Sequence, residues 1–297
     1  MPVNSEATDA SCISLAVETF PKPESAEELY LDLLKKTLTR ALVARPFERQ
    51  TLRPSRPLLR RFYRFLQPQL AARNYELVRL LRSDAHQYVE SGNETKTRAE
   101  DAETMLGTRQ LDNMQACIED AIRRNVPGDL LEAGVWRGGM TILMRGVLKA
   151  YGDRKRAVWV ADSFAGLPTP DTRVETYEDW RGGEMAVSLE DVRQNFGRYG
   201  LLDDQVRFLK GFFNETLPGA PIAQLAVLRA DADLYESTRD VLDHLYSKLS
   251  IGGYAIFDDY VNLPDCRKAI DEYRDQHEIT DPIQHIDERA VFWHRTR

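Results

Sequence analysis

Apolar and polar positions change period along the chain. Glu27 to Leu42 (EELYLDLLKKTLTRAL) sets Leu31, Leu34, Leu38 and Leu42 at helical spacing. Leu58, Leu59, Phe62, Phe65 and Leu66 recur at i, i+1, i+4, i+7 and i+8, with Arg60, Arg61 and Arg64 largely on another face. That pattern predicts a basic amphipathic helix. Asp84 to Asp101 is polar, with Ser91-Gly92-Asn93 as a turn signal. Helical spacing returns over Leu106 to Arg123 through Leu111, Met114, Ile118 and Ile122.

Beyond residue 126 short apolar runs take over. Runs at 129–135, 157–162, 206–211, 225–231 and 254–258 predict five strands. Helical patterns lie between them, over Met140 to Tyr151 and through Val241, Leu242, Leu245 and Leu249, with Gly252 as that helix's stop. Strands alternating with helices predict an α/β domain around a mostly parallel sheet. The chain thus divides into a tail (1–25), a helical N-terminal region (26–126) and an α/β domain (127–297) whose closing segment begins near 261. No internal repeat stands out.

The 297 residues are 42% hydrophobic and 29% charged, enough for a self-sufficient core. Acids outnumber bases 47 to 40, which speaks against a nucleic-acid-binding protein. Residues 45–82 invert that balance with ten Arg against Glu48 and Glu76, an island of about +8 in a remainder of about −15. It reads as a docking face for an anionic partner, either lipid headgroups or an acidic carrier protein. The plainer alternative is a helix packed on its own domain or a dimer mate, with solvated arginines. Cys12, Cys117 and Cys266 lie far apart and suit a reducing compartment. Met1 to Phe20 lacks the features of a signal peptide, and no run of about 18 apolar residues predicts a transmembrane segment. Cytoplasm is the default location.

Ligands of parallel sheets bind at the carboxyl ends of the strands. The first strand runs into Glu132-Ala133-Gly134-Val135-Trp136-Arg137-Gly138-Gly139. This is not GxGxxG, and an acid at its head suits a cationic ligand, such as a sulfonium amino acid, better than a pyrophosphate. A glycine-rich turn with a surface Glu is the alternative. The second strand ends at Asp162, where an acid can accept both hydroxyls of an adenosine ribose or simply cap a helix. The fourth ends in Asp231-Ala232-Asp233 and the fifth in Asp258-Asp259. Carboxylates that close repel one another unless a cation joins them, and an all-oxygen set favours Mg2+ or another hard ion. Unrelated loop acids are the alternative. The five histidines show no metal-ligand spacing, and neither GxSxG nor a P-loop occurs.

The blocks LYLDLLKKTL (29–38), TMLGTRQLDNMQACIEDAIRRNVPGDLLEAGVWRGGMTILMRGVLKAYGD (104–153), VWVADSFAGLP (158–168), RADADLYESTRDVL (229–242) and IGGYAIFDDY (251–260) resemble the macrocin/mycinamicin/novobiocin O-methyltransferases of the TylF type. The resemblance implies a Rossmann-like class I methyltransferase fold with a helical N-terminal lid. It implies S-adenosylmethionine, Mg2+, a hydroxyl acceptor on a natural-product sugar, and a homo-oligomer. Thr104 and Met105 would line the cofactor pocket. Glu132, Gly134, Val135 and Trp136 would hold the methionine end, and Asp162, Ser163 and Gly166 the ribose. Ser188, Gly211 and Phe212 would border the adenine. Asp231, Asp258 and Asp259 match the metal ligands, and Asp231 or Asp233 the base. The segment from Arg45 to Asp84 departs from the family pattern. A catechol acceptor would satisfy the same chelation geometry. An NAD-linked oxidoreductase and a non-catalytic carrier-binding protein are the other readings.

Overall fold

The computed structural model describes residues 24–42, 47–51, 57–73, 78–82, 101–171, 173–175 and 180–297. Most of the expected tail and the Ser91-Gly92-Asn93 turn lie outside the described residues. Among those described, no helix is long and apolar enough to cross a membrane.

The frame is a seven-stranded sheet. Its strands are β3 (Asp129–Ala133), β4 (Val158–Asp162), β5 (Val206–Lys210), β6 (Leu225–Ala230), β7 (Leu249–Phe257), β8 (Gln284–His285) and β9 (Val291–His294). Their order is β5-β4-β3-β6-β7-β9-β8. β3 to β7 run parallel, β9 is antiparallel to β7, and β8 is antiparallel to β9. The winding direction reverses between β3 and β6, so a crevice opens at their carboxyl ends.

Residues of β3, β4 and β6 are buried on both faces, as a helix-covered parallel sheet requires. Alternation sends Leu130 and Val158 to one apolar layer and Leu131 and Trp159 to the other. The first layer also holds α1 (Ala26–Leu38), α3 (Thr108–Arg123) and α4 (Gly139–Ala150), through Leu31, Leu34, Leu38, Leu111, Met114 and Ile142. The helices expected at 27–42 and 106–123 therefore share one core with the sheet. Gly146 makes room for α1, since a Cβ there would stand 2.3 Å from Leu34 Cδ2. The second layer takes α7 (Tyr235–Leu245) and α8 (Pro264–Gln276), with Trp293 stacked on Phe257 at 4.9 Å.

Two expectations change. The helix drawn through Leu249 ends at Leu245; a 3-10 turn (Tyr246–Lys248) follows and β7 begins at Leu249. Gly252 and Gly253 serve an irregular stretch of that strand rather than a helix stop. A Cβ on Gly253 would meet the Ala226 carbonyl at 2.7 Å, and Gly252 has φ +87°. An apolar run does not by itself distinguish a helix's last turn from a buried strand.

The N-terminal region is not wholly helical either. β1 (Phe47–Thr51) pairs antiparallel with β2 (Val78–Arg82), and α2 (Pro57–Ala71) lies between them in the chain. The polar sequence of β1 carries no strand signal. The expected basic amphipathic helix is present as α2, and its Phe62 and Phe65 are 61% and 67% exposed.

Candidate functional site

A cleft lies at the carboxyl ends of the parallel strands. Of the residues expected around a cofactor, Met105, Gly134, Trp136, Asp162, Ser163 and Gly166 line it, with Phe212 beyond β5. Asp231 and Asp233 line it from the β6 side.

The β3–β4 half is shaped mainly by backbone. Gly134 has φ +86°, and a Cβ there would stand 1.8 Å from the Asp231 carbonyl oxygen, so only glycine fits. Asp162 Oδ2 accepts the Val135 N–H at 2.8 Å, and Oδ1 accepts the Phe164 N–H at 2.7 Å. Asp162 thus ties two loops together; it caps no helix. Each carboxylate oxygen keeps a further lone pair for ligand hydroxyls. Ser163 Oγ donates to the Gly166 carbonyl and accepts the Ala165 N–H, closing the loop. Gly166 is required there, since a Cβ would meet the Glu184 carbonyl at 2.5 Å. Trp136 and Phe164 adopt positive φ without being glycine (48° and 54°), a strained conformation held by its surroundings.

Met105 is delivered by a strap over residues 101–107. The Glu103 carbonyl accepts the Gly139 N–H at 3.0 Å, at the start of α4. The buried Glu103 carboxylate accepts Arg40 Nη2 at 2.7 Å and the Tyr199 hydroxyl at 2.8 Å. Thr104 sits against Gly139 and accepts the Leu106 N–H at 3.1 Å. Thr104, Glu132, Val135, Ser188 and Gly211 are not on the cleft wall. Gly211 donates its N–H to the Asp162 carbonyl at 3.0 Å. Ser188 is the N-cap of α5 (Leu189–Arg198), accepting the Asp191 N–H at 3.1 Å.

The β6–β7 half is built of charge. Asp231, Asp233 and Asp259 each bring an oxygen within 4.8 Å of the others, a spacing able to hold a divalent cation. Asp258 is placed apart from that group. Its Oδ1 accepts Arg229 Nη2 at 2.8 Å and its Oδ2 accepts Arg289 Nη2 at 3.3 Å. Asp259 Oδ1 accepts Arg289 Nη2 at 2.9 Å and Asn262 Nδ2 at 3.1 Å, while its buried Oδ2 has no hydrogen-bond partner. Burial, reinforced by neighbouring carboxylates, raises the pKa of Asp231, Asp233 and Asp259. Burial lifts Asp258 to about 6 and Glu132 to about 8.

Glu132 is only 2% exposed, so it is no surface acid of a turn. Its Oε1 accepts Arg229 Nη1 at 2.6 Å. Sequence reasoning gave no role to Arg229, Arg289, Gln110 or the Arg40–Glu103 pair. Arg229 did carry a signal: it is a lone charge inside the apolar strand LAVLRA.

Comparison with known proteins gives the family. Residues 27–295 match the family described as Macrocin-O-methyltransferase (TylF). Demethyldecarbamoylnovobiocin O-methyltransferase of Streptomyces niveus is 44% identical over 288 residues, covering 95% of this chain and 98% of the relative. A Streptomyces olivaceus 4'-O-methyltransferase named for a dimethoxy-rhamnosyl tetracenomycin is 46% identical, covering 92% and 95%. Mycinamicin III 3''-O-methyltransferase of Micromonospora griseorubida is 52% identical over 202 residues, covering 66% and 79%. The solved structure of the O-methyltransferase NovP superposes with TM-score 0.72 at 44% identity, covering 91% of this chain and 100% of that one. The chain therefore belongs to the TylF (macrocin O-methyltransferase) family and is an O-methyltransferase with the class I methyltransferase fold.

Proposed function

We propose that this enzyme transfers the methyl group of S-adenosylmethionine to a sugar hydroxyl of a glycosylated natural product, with Mg2+ at the acidic cluster. The observation that carries the reading is the pairing, across one cleft, of the Gly134–Asp162 cradle with the Asp231–Asp233–Asp259 oxygens. Bare backbone at Gly134 admits the methionine portion, and the free lone pairs of Asp162 suit ribose hydroxyls. The relatives' names support the acceptor class, since one specifies a 4' oxygen of a rhamnosyl compound.

The donor set fits a hard cation: all oxygen, crowded enough to raise its own pKa values, with a partnerless buried oxygen on Asp259. Mg2+, when bound, supplies Lewis acidity toward an acceptor hydroxyl. Asp231 and Asp259 belong both to the set implied by resemblance and to the close group. Asp233 supplies the third oxygen in this geometry, with Asp258 serving as arginine counter-ion. A carboxylate of the 231–233 pair takes the acceptor proton.

The test is methyl transfer from S-adenosylmethionine to a panel of glycosides and catechols, with Mg2+ and with EDTA. Glycoside turnover should fall about a hundredfold or more in EDTA. Asp259→Asn should lose turnover to a similar extent, about a hundredfold, while S-adenosylhomocysteine affinity stays within about threefold of wild type. Normal turnover of that variant in EDTA would refute the metal role. Preference for catechols would replace the acceptor class.

A further inference from the structure

Arg229 and Glu132 stand side by side on adjacent parallel strands, in register across β3 and β6. They are 1% and 2% exposed. The Arg229 guanidinium divides its donors between two sets of partners. Nη1 donates to Glu132 Oε1 at 2.6 Å and to Asp231 Oδ2 at 3.0 Å. Nη2 donates to Asp258 Oδ1 at 2.8 Å and to Gln110 Oε1 at 3.2 Å. Gln110 is itself anchored, donating from Nε2 to Asp287 Oδ2 at 3.1 Å.

A guanidinium is planar, so fixing one edge fixes the other. An isolated buried carboxylate is costly, and three of them around one cation hold their places only while that cation sits between them. Glu132 Oε2 is buried with no hydrogen-bond partner, leaving one oxygen available once Arg229 has occupied the other.

We propose that Arg229 is a positioning residue that couples the two halves of the site, holding Glu132 at the strand end that leads into the Gly134 cradle while setting Asp231 for the acidic cluster. The inference rests on the function proposed above. It assigns to Arg229 no contact with substrate or cofactor. Lysine cannot replace it, because a single ammonium on a flexible stem cannot hold two fixed edges.

The test uses the full-length protein and two binding probes, S-adenosylhomocysteine by titration calorimetry and Mn2+ by electron paramagnetic resonance. Arg229→Lys keeps the charge, so a role of charge balance alone leaves both affinities near wild type. A positioning role weakens both probes together, by about tenfold or more. It also makes effects non-additive: Arg229→Lys combined with Glu132→Gln should bind S-adenosylhomocysteine no more weakly than Glu132→Gln alone. If Arg229→Lys does not fold, Gln110→Leu loosens the same guanidinium without removing charge and should weaken both probes about threefold. Affinities at wild-type level in the folded variant, or additive effects in the double variant, overturn the proposal. Wild-type protein that binds no S-adenosylhomocysteine defeats the parent reading instead.

Discussion

The two halves of the cleft are made by different physics. At the ends of β3 and β4 the wall is main chain, and its key positions are glycines and one aspartate whose carboxylate ties two loops. At the ends of β6 and β7 the wall is a set of carboxylates held by the buried Arg229 and the half-buried Arg289. The first half depends on shape and on the one charged acceptor, Asp162. The second depends on electrostatic balance, and a side chain of equal size with the wrong charge unsettles it. The contrast also separates the expected failures: shape defects strike folding and cofactor affinity together, whereas charge defects strike cation binding and turnover.

The largest effect should come from Gly134→Ala. Its Cβ would collide with the Asp231 carbonyl at 1.8 Å in a backbone conformation that disfavours any side chain. We expect a loss of about 2–4 kcal/mol, read as a fall in Tm of about 5–10 °C, together with loss of S-adenosylhomocysteine binding. A variant with wild-type Tm would contradict the close-approach argument. Next comes Asp162→Asn, which replaces a charged double acceptor by an amide. Calorimetry should show S-adenosylhomocysteine affinity weakened about ten- to a hundredfold while Mn2+ affinity is unchanged. Equal weakening of both probes would erase the distinction between the halves.

The third effect is a pH dependence confined to the charged half. Burial raises Glu132 to about 8 and Asp258 to about 6, and also raises Asp231, Asp233 and Asp259. A carboxyl with a raised pKa in the folded state holds its proton more tightly there than when unfolded. Its stabilisation is complete below the unfolded value of about 4 and is lost as pH rises through the folded value. In EDTA the Tm should therefore drop by several degrees, about 3–6 °C, between pH 5.5 and 8.5. Added Mg2+ should recover more of it at pH 8.5 than at 5.5. A Tm that climbs over that interval in EDTA would reverse the sign. The smallest effect belongs to Ser188→Ala, which removes an N-cap remote from the cleft wall. It should cost about 1 kcal/mol and leave S-adenosylhomocysteine affinity alone. A clear loss of affinity would return Ser188 to the adenine site.

The same contrast explains what was legible in the sequence. The five parallel strands, the helices at 27–42 and 106–123, and the acids at the strand ends all follow from periodicity and position. Gly134 and Asp162 stood out because each closes an apolar strand with a distinctive residue, a glycine turn and a terminal acid, although their partners Asp231 and Val135 lie elsewhere in the sequence. Arg229, Gln110 and Arg289 did not, because their meaning lies in partners 97, 177 and 31 residues away. Asp258 shows the limit from the other direction. Beside Asp259 in sequence it reads as a second ligand, and nothing in the sequence shows that its two oxygens accept from Arg229 and Arg289. The helix that ended early at Leu245 failed for a simpler reason: buried helix and buried strand are alike in composition.

The strap that brings Met105 to the cleft is fastened by Glu103 to Arg40, just past the end of α1, and to Tyr199, just past the end of α5. The sheet domain is therefore not a transplantable module. A chimera that keeps residues 127–297 and exchanges everything before them for a relative's sequence would discard the anchor that holds the Met105 wall of the cleft. Swaps within the N-terminal region should cut after Arg40 and rejoin before Asp101, leaving both ends of the strap in the parent.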